Sequence, residues 1–190
     1  MLGYAVGRAV SPAVPTATAA TAQATPGDRS PEAGFARDMS THHAQAVAMS
    51  MIAATRATDG EVRSVAYDIA LTQQNQIGIM QTWLKYWHLD PTSDQKAMAW
   101  MPDGEASVKD GLMPGMASQQ QMQQLEEATG KEVDRLFLRL ILTHHLGGIH
   151  MVDGLLAQSD NADVRSLAEN MKAGQQKELT VFQDLQKKVG

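Results

Sequence analysis

Two stretches of this chain, 102 residues apart, carry one polar signature inside otherwise apolar helical sequence. The first reads "THHAQAVAM" from Thr41 and the second "THHLGGIHM" from Thr143, so Thr41, His42, His43 and Met49 recur as Thr143, His144, His145 and Met151. Aligned without a gap, residues 35–82 and 137–184 share thirteen identities in 48 positions. The match runs on through Val62, Arg63, Ser64, Ala66, Gln73, Gln74 and Gln81, which recur as Val164, Arg165, Ser166, Ala168, Gln175, Gln176 and Gln183. Two unrelated amphipathic helices would share apolar positions, not these polar ones. The chain is read as a duplicated helical hairpin.

The local signals agree. Ser30 as N-cap, Pro31 at the first helical position and Glu32 in the first turn mark a helix start, because a side-chain oxygen takes up a free N–H there and the dipole favours an anion. Phe35, Met39, His42, Ala46, Met49 and Ala53 follow at spacings of four and three, the stripe of a helix that turns His42 to the core and ends at Asp59-Gly60. A second helix is expected from Glu61 to His88, stopping ahead of Pro91. Pro91, Pro102, Gly104, Gly111, Pro114 and Gly115 make residues 89–117 an irregular connection of unusual length. Ser118 with Gln121 then resembles a capping box for a short helix ending near Gly130. A third helix spans Lys131 to Ala157 and a fourth Val164 to Val189.

The expected fold is all-α: a ferritin-like four-helix bundle of two repeated hairpins, 31–88 and 131–189, joined by the long connection 89–130. A connection that crosses the bundle's length relates the hairpins by a pseudo-two-fold axis. An up-down bundle with a wandering loop is the alternative, and the direction of the third helix against the first separates them.

Residues 1–30, poor in charge and rich in Ala, Thr and Pro, read as a disordered tether. Their opening, "MLGYAVGRAV", is far shorter than the roughly 20 apolar residues that span a bilayer. It reads as the remnant of a signal or membrane-anchor segment, placing the domain outside the cytoplasm, secreted or anchored; an ordinary ragged N-terminus is the alternative. A net charge of -5 with no basic run argues against nucleic acid and anionic membrane surfaces as partners. Without cysteine, any metal here must use His, Met, carboxylate or amide ligands.

Helical rise places the candidate site. At about 1.5 Å per residue, His43 before the Asp59 turn and Gln73 after it both lie roughly 21–24 Å from that turn, and the repeat gives the same height to His145 and Gln175. A two-fold relation merges the layers into one central cluster: His42, His43, Gln73, Gln76, His144, His145, Gln175 and Glu178. Neighbouring histidines differ by about 100 degrees around the helix, so one points inward while the other reaches a seam. Imidazole with thioether suits copper, and Met39, Met49 and Met151 share the histidine faces. The linker pairs Met98/Met101 and Met113/Met116, in a segment taken as polar and flexible, are weaker candidates to collect Cu(I). Gly147-Gly148 implies close approach of a neighbouring helix.

Two classes of function stay open. The cluster binds a metal, or it is a metal-free His/Gln polar core in a structural or interaction module, since four imidazoles, three Gln and one Glu could satisfy each other. Catalysis is not expected: the Glu-x-x-His pairs of di-iron bundles and the Ser-His-Asp and Gly-rich phosphate signatures are missing.

The pattern "F...M..HH..A..M", then "Q..Q/E I..M..WL", the linker "MPGM", and again "FLRL.L.HH.GG..M" with "Q..EL" resembles the bacterial domain-of-unknown-function family 305 over residues 32 to 187. The resemblance implies an extracytoplasmic ferritin-like bundle; some members bind copper, and most have no assigned activity. The family's histidine pairs correspond to His42, His43, His144 and His145, its methionines to Met39, Met49 and Met151, and its second Q-x-x-E to Gln175 and Glu178. Gln76 stands where the family usually has Glu, and Ile141 where Met39 has its counterpart. The expectation is a non-catalytic, extracytoplasmic protein that binds copper through His42, His43, His144, His145, Met39, Met49, Met151 and Glu178.

Overall fold

The computed structural model describes residues 24–190, so the reading of residues 1–23 lies outside the described part. Six helices follow in order: α1 (Pro31–Arg56), α2 (Gly60–Tyr86), α3 (Gly104–Ser107), α4 (Gln119–Glu127), α5 (Lys131–Leu156) and α6 (Ala162–Val189). The caps at Ser30 and Ser118 are those the sequence announces, and Asp59 and Asn161 cap α2 and α6 in the same way. Ser30 accepts from the Ala33 N–H, Asp59 from the Glu61 and Val62 N–H groups, Asn161 from that of Val164, and Ser118 with Gln121 closes a capping box.

Packing decides the topology. One apolar cluster joins the N-terminal part of α1 (Phe35, Met39) to the C-terminal parts of α2 (Met80, Leu84) and α5 (Met151, Leu155) and to the start of α6 (Val164, Ala168). The other joins the C-terminal part of α1 (Met49, Ala53) to the start of α2 (Val62, Ile69), the start of α5 (Phe137, Ile141) and the end of α6 (Phe182, Leu185). Helix α5 therefore runs antiparallel to α1 and parallel to α2, which excludes the up-down alternative and gives the ferritin-like bundle with its pseudo-two-fold. Phe35, Phe137 and Phe182 are fully buried, each worth about 1.5–3 kcal/mol of apolar transfer. No helix among the described residues is long and apolar enough to cross a membrane.

The hairpins clasp each other's turns through equivalent residues. Asp134 on α5 accepts from the N–H and hydroxyl of Thr58 and the N–H of Asp59 in the α1–α2 turn. Its repeat equivalent, Glu32 on α1, accepts from the Ser159 hydroxyl in the α5–α6 turn. Arg63 and Arg165 donate to their own turns' carbonyls in the same way.

The connection departs from expectation. Met98 and Met113 are buried in the second apolar cluster, with Met101 and Met116 half-buried against it. Asp38 on α1 pins the segment by accepting from the Met98 N–H at 2.7 Å and the Trp100 indole N–H at 2.8 Å. Met98 and Met113 are core residues of a packed strap, with Met101 and Met116 at its edge, rather than exposed thioethers on a flexible loop. At the other edge, the Asp28 carboxylate meets Arg37 at 2.6 Å, so residues ahead of α1 are tied to the bundle.

Candidate metal centre

The four histidines of the repeat lie where the two apolar clusters meet, at the middle of the bundle, and all are buried: His42, His43 and His145 at 0% exposure and His144 at 1%. The His42 and His144 rings stack across the α1–α5 seam, centroids 3.7 Å apart and planes tilted by 34°. His43 turns instead to α2, where its Nε2 meets Gln76 Oε1 at 2.8 Å. Its equivalent His145 turns to α6, where Nε2 meets Glu178 Oε2 at 2.7 Å. One histidine of each pair thus faces the central seam and the other its own hairpin, as two positions about 100° apart on a helix require.

Every Nε2 faces an oxygen that can only accept. His42 Nε2 donates to the Pro114 carbonyl at 3.0 Å and His144 Nε2 to the His42 carbonyl at 3.0 Å. Gln76 and Glu178 receive the other two. A neutral imidazole with its proton on Nε2 carries its lone pair on Nδ1. The Nδ1 atoms of His42, His43 and His145 are buried without a hydrogen-bond partner, as are Gln73 Oε1 and Gln175 Oε1. Buried polar atoms left this way cost about 1–3 kcal/mol each.

Burial favours the neutral form of His42, His43 and His144. Desolvation pushes His42 down to about 4, against a partial lift from its bond to Pro114. Desolvation and then the neighbouring His42 charge push His43 down to about 3. His144 is likewise lowered well below the usual value, by desolvation first and the other imidazoles next. A neutral imidazole with a free Nδ1 and an anchored Nε2–H is the form that ligates metals.

A strap of the connection covers the seam. Ala117 is clamped by Gln45, whose amide accepts from the Ala117 N–H at 2.7 Å and donates to its carbonyl at 2.9 Å. Gln45 has Gly147 as its repeat equivalent, and the backbone of Pro114 and Gly115 occupies the space a Cβ at Gly147 would fill, 1.8 Å from the Pro114 oxygen. Gly147 therefore admits the strap rather than a helix. Gly148 does face a helix, since a Cβ there would lie 2.7 Å from Gln175 Oε1 of α6. The Pro114 carbonyl and the Gln45 clamp escaped the sequence reading; their signal was the break in the repeat that sets Gln45 against Gly147.

The remaining candidates are dispersed. Met39 lies three residues, about 4.5 Å of rise, before His42. Met49 and Met151 each lie seven residues, about 10 Å, beyond their histidine, and on opposite sides of the layer because α1 and α5 are antiparallel. They pack in different clusters and do not meet. Glu178 sits behind His145. Among the described residues, no three His, Asp or Glu side chains converge on one point as the rings stand. His88 and His150 are exposed, away from the layer.

The profile of the family described as "Domain of unknown function (DUF305)" matches residues 32–186. A DUF305 protein of Streptomyces coelicolor classed as secreted is 41% identical, with a TM-score of 0.79 over 86% of this chain and 96% of its own. A DUF305 fragment from Deinococcus radiodurans is 28% identical, with a TM-score of 0.69 over 83% and 96%. CopM in its Cu(II)-bound form shares the fold at 23% identity, with a TM-score of 0.65 over 84% and 97%. No curated protein matches the chain.

Proposed function

The chain belongs to the DUF305 family, and we propose that it is an extracytoplasmic, non-catalytic protein that binds copper through the histidine layer. The observation that carries this reading is the set of buried, partnerless Nδ1 atoms on rings whose Nε2–H groups are already anchored. A carbonyl or carboxylate behind a ring fixes its tautomer and raises the basicity of the opposite nitrogen, and the bound cation replaces the missing hydrogen bonds. His42, His43, His144 and His145 supply the donors and Met39, about 4.5 Å of helical rise from His42, a thioether; Met49 and Met151 are more distant sulfur donors, about 10 Å of rise from their histidines. Neutral nitrogen and soft sulfur without thiolate or a carboxylate cluster favour copper over the harder divalent ions. That CopM, of the same fold, is known in Cu(II)-, Cu(I)- and silver-bound forms supports the choice. The secreted classing of the Streptomyces relative supports a site outside the cytoplasm.

A metal-free polar module is the second reading, favoured by the partner that every Nε2 already has. Titration with Cu(I) under anaerobic conditions and with Cu(II) decides. Copper binding by the native chain, abolished when His42, His43, His144 and His145 are all changed to Gln while helical circular dichroism is retained, is the expected result. Binding that survives those changes would overturn the assignment, and a native chain that binds nothing would favour the module.

A further inference from the structure

His43 and His145 are equivalent in the repeat, equally buried, and each sends Nε2 to the residue 33 positions further along, at 2.8 and 2.7 Å. The geometry is duplicated and the charge is not: the acceptor is an amide oxygen at Gln76 and a carboxylate at Glu178. We infer that the two halves are unequal metal sites, the α5–α6 half binding tightly and the α1–α2 half weakly and exchangeably. The inference rests on the copper reading above and says which half fills first.

Two effects of the carboxylate act in the same direction. An ionised acceptor makes a hydrogen bond about twice as strong as a neutral one and draws the Nε2 proton away, leaving Nδ1 a better donor to a cation. The carboxylate also offsets the charge that an ion brings into a layer whose other partners, Gln73, Gln76 and Gln175, are neutral. Glu178 keeps 28% of its side chain in water, which screens part of the second effect and leaves the first intact. Partners of this kind typically change metal affinity by about 10–100-fold. The halves therefore differ by about that factor, and the half-loaded protein dominates over a decade or more of free metal. Glu178 and Gln76 act as positioning residues through the rings they hold. One domain would then retain a first ion and release a second readily.

The test is a titration with Ag(I), a diamagnetic stand-in for Cu(I), read by nitrogen NMR of the imidazoles in the native chain, Glu178→Gln, Gln76→Glu and the double swap. In the native chain His145 responds first and His43 at about 10–100-fold higher free metal. E178Q removes the tight step, Q76E tightens the response at His43, and the swap reverses the order. A gain at His43 in Q76E is a result that a merely structural role for these residues would not produce. Simultaneous saturation of both rings in the native chain, or an order indifferent to the swap, would overturn the inference while leaving copper binding standing. Imidazole signals that ignore the metal altogether would sink the copper reading itself.

Discussion

Changing Gly147 to Ala should destabilise the protein, although Ala is the better helix former by about 1 kcal/mol. A Cβ at this position would lie 1.8 Å from the Pro114 oxygen and 2.4 Å from its carbonyl carbon. Ordinary contact between such atoms is about 3.5 Å, so the strap must retreat by about 1.5 Å or more. That takes the Pro114 carbonyl out of hydrogen-bond range of His42 and pulls Ala117 off the Gln45 clamp. Three hydrogen bonds at about 0.5–1.5 kcal/mol each are lost, and the propensity gain offsets about 1 kcal/mol. The net cost is about 0.5–3.5 kcal/mol. Gly78, also helical, is the control: nothing lies within 4 Å of a Cβ there, so the same substitution should stabilise by about 0.5–1 kcal/mol. Urea denaturation measures both, and hydrogen exchange at the Ala117 amide reports the clamp. If G147A gains stability as G78A does, with Ala117 still protected, the strap is not packed on the glycine and the reasoning is wrong.

Other expectations follow from the same contacts. Histidines lowered from 6.5 to about 4 and about 3 leave the folded chain with fewer protons than the unfolded chain between those values. Their contribution is therefore complete above about pH 6.5 and lost as the pH falls, by up to about 1.4 kcal/mol per pH unit for each ring. Urea midpoints compared at pH 7.5 and 5.0 check this, and equal stabilities would refute it. Asp134→Ala strands three donors of the α1–α2 turn, so a loss of at least about 2 kcal/mol is expected in the same assay, and less than about 1 kcal/mol would mean that water replaces the clasp.

The bundle was legible because its signals are local or repeated. Caps at Ser30 and Ser118 act within three residues, and the repeat carries equivalence across the chain without any knowledge of contacts. The height of the histidine layer followed from helical rise alone, and so did the facing of His42 and His43 to different seams. The connection was not legible. Irregular sequence with Pro and Gly looks the same whether it is exposed or tied down, and the groups that tie it, Asp38 to Trp100 and Gln45 to Ala117, lie 62 and 72 residues apart. For the same reason the strap read as polar and flexible when Met98 and Met113 are buried in the core. Gly147 announced a close approach, but which backbone approaches depends on the course of the strap. The partnerless Nδ1 atoms depend on side-chain rotamers, which no spacing rule reports.

Metal binding at the layer depends on each imidazole holding its proton on Nε2 and offering Nδ1. Long-range nitrogen–proton NMR of the apo protein at pH 7.5 measures this ring by ring. The Nε2–H tautomer is expected for His42, His43, His144 and His145, with Ag(I) or Cu(I) shifting Nδ1 while Nε2 stays protonated. Rings protonated on Nδ1, or metal bound through Nε2 at the expense of the bonds to Pro114, Gln76 and Glu178, would contradict it.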